Sequence, residues 1–156
     1  MPPADPPDLR RLALAAAGPR PRLLLGPGAG LPLGRVHEVC GAARRVFAAL
    51  VAARAGAAED GGSGRSGGRG AVVWIRGPGA EGALCAEGLS AFLDPARILL
   101  VTPGRAAEVA WCAEEALRSG AAALVVAERS APLGLTPVRR RHLAAEAGTE
   151  PAARRG

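Results

Sequence analysis

The chain has 156 residues, a length for one domain, with 49% apolar residues and a formal charge of +6 from 20 basic against 14 acidic side chains. Every basic side chain is arginine and none is lysine; with abundant Ala, Gly and Pro, this is the coding bias of a GC-rich genome. The positive balance is therefore weak support for nucleic acid, although it is compatible with weak, non-specific DNA contact or with acidic partners. No apolar run approaches the roughly 18 residues of a membrane span, and the N-terminus MPPADPPDLRR is acidic before it is basic, unlike a signal peptide. The expectation is a cytoplasmic protein with no membrane partner.

Residues 1–7 are Pro-rich. Leu9, Leu12 and Leu14 with neighbouring alanines predict a short helix over 8–17, ended by Gly18-Pro19. Residues 18–34 alternate Pro and Gly around Leu23-Leu24-Leu25 and read as an irregular approach segment, so that 1–34 precede the core proper. A rhythm then begins: strand 35–39, helix 43–55, a Gly/Ser-rich loop over 56–70, strand 71–76, helix 81–93, a turn at Asp94-Pro95, strand 98–102, helix 104–119, strand 122–127 and helix 136–147. Strand 122–127 is the most buried in character. Strands alternating with helices of this length predict an α/β core over 35–150: βαβ units and a mainly parallel sheet with helices on both faces. Residues 151–156 form a tail, and four readable strands make a small sheet, as in a shortened form of a larger domain.

Residues 35–55, RVHEVCGAARRVFAALVAARA, carry the most chemical information. Strand, tight loop and helix is the frame in which a phosphate loop cradles a nucleotide. That loop needs glycines for backbone N–H donors, a lysine for the β- and γ-phosphates and a hydroxyl for Mg²⁺. Here Gly41 is followed by Ala42, Ala43, Arg44 and Arg45, and no lysine exists anywhere to substitute. The scaffold is NTPase-like; the chemistry is missing. Arg44 and Arg45 are candidates for an anion at the helix start, or are simply solvated. Glu128, at the end of the last strand, is a candidate Mg²⁺-associated acid, or a surface or loop acid, because Mg²⁺ in such sites also needs substrate phosphates.

Other motifs read as structure. Gly26-Pro27-Gly28-Ala29-Gly30 has the look of a dinucleotide fingerprint, but no helix follows it. Gly77-Pro78-Gly79 reads as a turn whose proline lacks an N–H. Cys40, Cys85 and Cys112 have no metal-ligand spacing and read as small buried apolar side chains in a reducing compartment. His37 and Cys40 read as chance neighbours rather than a dyad. Arg139, Arg140, Arg141 and His142 spread around a helix and read as a solvated helix start, with a DNA-phosphate stripe as the other possibility. Trp74 and Trp111 read as core or interface plugs.

The series RVHEVCGAARRVFAALVAARA, AVVWIRG, ARILLVTPGRAAEVAWCAEEALRSGAAALVVAERS and LTPVRRRHLAAEAG resembles the RecA-like core, and more narrowly the ImuA family of RecA-related accessory factors. Arg35, Val36, Glu38 and Val39 fill the places of the strand that runs into the RecA phosphate loop. The similarity covers 35–148, about three quarters of the chain. Where RecA has its catalytic glutamate, this chain has Arg76-Gly77-Pro78-Gly79; Glu128 stands at the Mg²⁺-associated position. The resemblance implies a RecA-like fold with a degenerate phosphate loop, no cofactor and no enzymatic activity. It implies an accessory and scaffold role in DNA-damage-induced (SOS) translesion synthesis, mutagenesis and DNA repair. The implied partners are RecA, a Y-family-like protein and an error-prone replicative-type polymerase. The family's C-terminal region, which would follow residue 150, is absent or replaced. A divergent RecA-like ATPase using Arg44, Arg45 and Glu128, or a small DNA-binding module, are the alternatives.

Overall fold

The computed structural model describes residues 21–55, 70–130 and 134–149. The helix expected over 8–17, the tail at 151–156 and the loop expected over 56–70, apart from Gly70, lie outside them. The chain opens with an antiparallel hairpin, β1 (Arg22–Gly26) and β2 (Ala29–Pro32). It then forms helix α1 (Arg44–Arg54), strand β3 (Ala71–Arg76), short helix α2 (Ala86–Ser90), a 3₁₀ turn (Pro95–Arg97) and strand β4 (Ile98–Val101). Helix α3 (Ala106–Ser119), strand β5 (Ala122–Glu128) and helix α4 (Leu135–Thr149) complete it.

The central sheet is parallel with order β4-β3-β5. Strand β3 is central because AVVWIR can be buried on both faces, and a strand covered on both faces reads as a continuous apolar run. Successive side chains alternate between faces. Val72 and Trp74 pack with Ala49 and Ala52 of α1 and with Leu93. Val73 and Ile75 pack with Val109 and Ala113 of α3 on the other side. The expected α/β core with helices on both faces is thus present. Helix α4 forms a further layer on α3, and Gly148 brings the backbones so close that a Cβ there would lie 2.0 Å from Leu117 O.

Several local expectations are corrected. Residues 35–39 form no strand. Their polar groups are used elsewhere: Arg35 pairs with Glu146 of α4, and His37 Nε2 donates to Pro32 O at 3.0 Å. Residues 22–32, expected as irregular, are the hairpin, turning at Pro27-Gly28 where Gly28 takes φ +72°. The helix expected over 81–93 shrinks to Ala86–Ser90, because Gly79 and Gly82 hold left-handed backbone before it. The most buried strand is β3, not β5, which is an edge. Cys40 and Cys85 are exposed and Cys112 half-buried, so the expectation of three buried thiols fails. Cys85 caps α2, its Sγ accepting from Gly88 N at 3.5 Å.

Candidate functional site

The site lies at the C-terminal ends of β3 and β5, beside the start of α1. In a parallel sheet of this order the chain crosses from one side of β3 to the other, and ligands of open α/β sheets bind at such a crossover, outside the carboxyl ends of the strands. The register pairs Arg76 directly with Glu128. Alternation along β3 puts Trp74 and Arg76 on one face, the face covered by α1.

Glu128 is the centre. Its side chain is 13% exposed. Arg45 reaches it from α1 in a two-pronged contact, Nε to Oε1 at 3.1 Å and Nη2 to Oε2 at 2.7 Å. Trp74 Nε1 donates to Oε1 at 2.9 Å, and Arg76 Nε lies 3.5 Å from the same oxygen. Burial by itself pushes this carboxyl up. Hydrogen bonds from Arg45 and Trp74, then the charges of Arg45 and Arg76, outweigh it and hold the group below its ordinary value. Reciprocally, the hydrogen bond to Glu128 raises Arg45, against a smaller opposing effect of burial.

The two arginines also fasten the segment between β3 and α2. Gly77-Pro78-Gly79-Ala80 is a tight turn, with Ala80 N bonded to Gly77 O at 3.1 Å and Gly79 at φ +82°. Arg76 Nη2 donates to Glu81 O at 3.0 Å and to Gly82 O; Arg45 Nη2 also donates to Glu81 O. One carboxylate, two guanidinium groups, an indole N–H and the turn's carbonyls therefore form one network. A carboxylate held this way is a poor base, and a metal could bind it only by displacing a guanidinium.

Arg45 and Glu128 are thus brought together, 83 residues apart in sequence. Neither is the solvated side chain that its position suggests. Gly41 and Arg44 serve the entry to α1 instead: Gly41 turns the chain at φ +98°, and its carbonyl accepts from Arg44 N at 3.3 Å and Arg44 Nη1 at 3.1 Å. The contributions of Trp74 and Arg76 went unread in the sequence. Their signal was an apolar strand ending in Arg and its neighbour ending in Glu, an opposite-charge pair once the register is known.

The stretch at 139–142 is not a uniformly solvated helix start. Arg140 Nη2 binds Glu114 Oε2 of α3 at 2.9 Å, and Arg141 is only 4% exposed. Trp74 is fully buried, whereas Trp111 is 64% exposed. Among the described residues no group of three or more His, Cys, Asp or Glu could hold a metal ion. No helix among them is long and apolar enough to cross a membrane. No family model, curated protein or solved structure matches this chain.

Proposed function

We propose that this chain is a non-catalytic accessory and scaffold protein of ImuA type, with a RecA-like fold, acting in SOS-induced translesion synthesis through contacts with RecA and the translesion polymerases. The observation that carries the non-catalytic part is the use of Glu128. The acid that would serve a Mg²⁺-nucleotide is occupied by Arg45, Arg76 and Trp74. The phosphate-loop position supplies a glycine turn and two arginines but neither lysine nor hydroxyl. The translesion role rests on the resemblance of 35–148 to that family.

Isothermal calorimetry with Mg·ATP tests the first part: no saturable heat into the millimolar range is expected, and no hydrolysis above background. A micromolar affinity abolished in Glu128→Ala would favour a divergent ATPase. Co-purification with RecA and with a Y-family-like polymerase tests the second part. A chain that captures neither, yet binds DNA tightly at high salt, would favour a DNA-binding module.

A further inference from the structure

The cleft between α3 and α4 is a second place where charge and apolar surface meet. It is a shallow, open depression of about 210 Å³ lined by Glu114, Arg118, Arg140, Leu143 and two alanines of α4. Cavities for drug-sized ligands run from roughly 300 Å³ upward. This one has room for a side chain rather than for a cofactor.

Its rim is unusual in composition. Leu143 is 57% exposed on α4. On α3, Trp111 is 64% exposed and precedes Glu115 and Arg118 at spacings of four and seven. Residues so spaced share one helix face, which places the indole about 10 Å along the stripe that enters the cleft at Arg118. An indole costs free energy in water and gains most at an interface; Trp and Arg are the side chains that dominate binding hot spots.

The charge at this corner is positive. Glu114 is buried and bound by Arg140, whose side chain is nevertheless 67% exposed. Arg118 pairs with Glu115 and is 53% exposed. Arg141, next to Arg140 on α4, is nearly fully buried. Burial first, and then the charge of Arg129, lower its pKa; Glu114 offsets this only in part. Arg118, Arg140 and Arg141 against Glu114 and Glu115 leave this corner with a net positive charge, and Arg118 and Arg140, though paired, still face solvent.

We infer that the α3–α4 cleft docks an acidic peptide segment carrying two apolar side chains, with Leu143 meeting one at the cleft, Trp111 the other along the stripe, and Arg118 and Arg140 the carboxylates. This goes a step beyond the scaffold reading and rests on its premise that the chain acts through protein contacts. Nucleic acid fits less well, because Glu114 and Glu115 flank the arginines and the exposed indole and leucine give a phosphate backbone nothing to bind.

The test is fluorescence anisotropy on the full chain, with the labelled peptide Glu-Asp-Glu-Leu-Phe-Asp-Glu-Glu as probe. A version with Ala for Leu and Phe, and one with Gln and Asn for the acids, are the controls. Binding is expected for the first peptide alone, weakening as salt rises. Leu143→Asp and Trp111→Ala are each expected to weaken it about tenfold, the scale of a hot-spot side chain. Both side chains are exposed, so neither variant should shift the melting temperature, and Arg140 is left intact because its loss would strand buried Glu114. Equal binding of all three peptides, or indifference to both variants, would overturn the inference. So would a single-stranded oligonucleotide that binds more tightly than the peptide and loses affinity in the same variants. Co-purification with RecA and polymerase reads the broader scaffold role separately, so a failed peptide assay beside positive capture rejects this cleft alone.

Discussion

At Glu128 the cost of removing a carboxylate from water is offset by hydrogen bonds from Arg45 and Trp74 and by the charge of Arg76 3.5 Å away. Replacing a buried ion pair entire by apolar groups is often neutral; removing one partner is costly, because the other is left buried and unpaired. Glu128→Ala strands Arg76, whose side chain is 11% exposed, while Arg45 at 28% can turn toward water. The expected loss is therefore about 2–3 kcal/mol, below the roughly 3–5 kcal/mol of a fully enclosed pair. It should appear as a lower urea midpoint with unchanged slope. The pH dependence has a definite sign. Because the carboxyl is held below its unfolded value, the unfolded chain binds its proton first as pH falls. The stabilisation is complete above the unfolded value, near 4.3, and drains as pH falls through the folded one. Thermal melts across an acid series should show a limb in the wild type that Glu128→Gln flattens; an unchanged limb would assign acid sensitivity to other carboxyls.

At the scale of elements, the contact of α4 with α3 depends on a missing Cβ. An added methyl at Gly148 would stand 2.0 Å from Leu117 O and 3.3 Å from the Gly120 Cα, backbone atoms that cannot swing aside. Helix propensity alone favours Ala over Gly by about 1 kcal/mol, whereas forced overpacking costs about 1–3 kcal/mol. Gly148→Ala is therefore expected to lower the melting temperature by several degrees. A rise would mean that the last turn of α4 does not reach α3. The elements were unevenly legible in the sequence. Periodicity located β3, α3, β5 and α4 to within two residues because each carries its own apolar pattern. Residues 35–39 sit before a tight loop as a strand would, but join no sheet among the described residues; local sequence suggests a strand, and a strand exists only through a neighbour. The hairpin was hidden for the converse reason, since Pro and Gly in 21–34 signal loops while Leu23↔Leu31 pairing is invisible to local pattern. In the site, the place of Glu128 at a strand end could be read, but its pairing with Arg45 could not, because it depends on how α1 packs against β3.

On the scale of the whole molecule, the sheet ends at β4 and β5 among the described residues, and the two edges differ. Strand β5 is alanine-rich and closes with the half-buried Glu128. Strand β4 is Ile-Leu-Leu-Val without proline, charge or bulge, and Leu99 and Leu100 are 59% and 49% exposed. Consecutive strand residues point to opposite faces, so both faces of the sheet are uncovered at this edge. Its outer row of backbone groups is a template for another strand, and natural edges usually carry Lys, Pro or a bulge to prevent such pairing. The core beneath is rich in alanine, which buries little area at about 25 cal/mol per Å². The purified chain is therefore expected to be marginally stable and to self-associate through β4 as concentration rises. Leu99→Lys should lower the sedimentation-average mass without lowering the melting temperature, because the replaced side chain already faces water. A partner that binds only the folded state raises apparent stability by mass action, so candidate RecA or polymerase partners should shift the melt upward. A dilute monomer that melts cooperatively at high temperature, remains monomeric when concentrated and shifts with no partner would show that the β4 edge is closed in solution, and would remove the physical basis for an interaction-dependent scaffold.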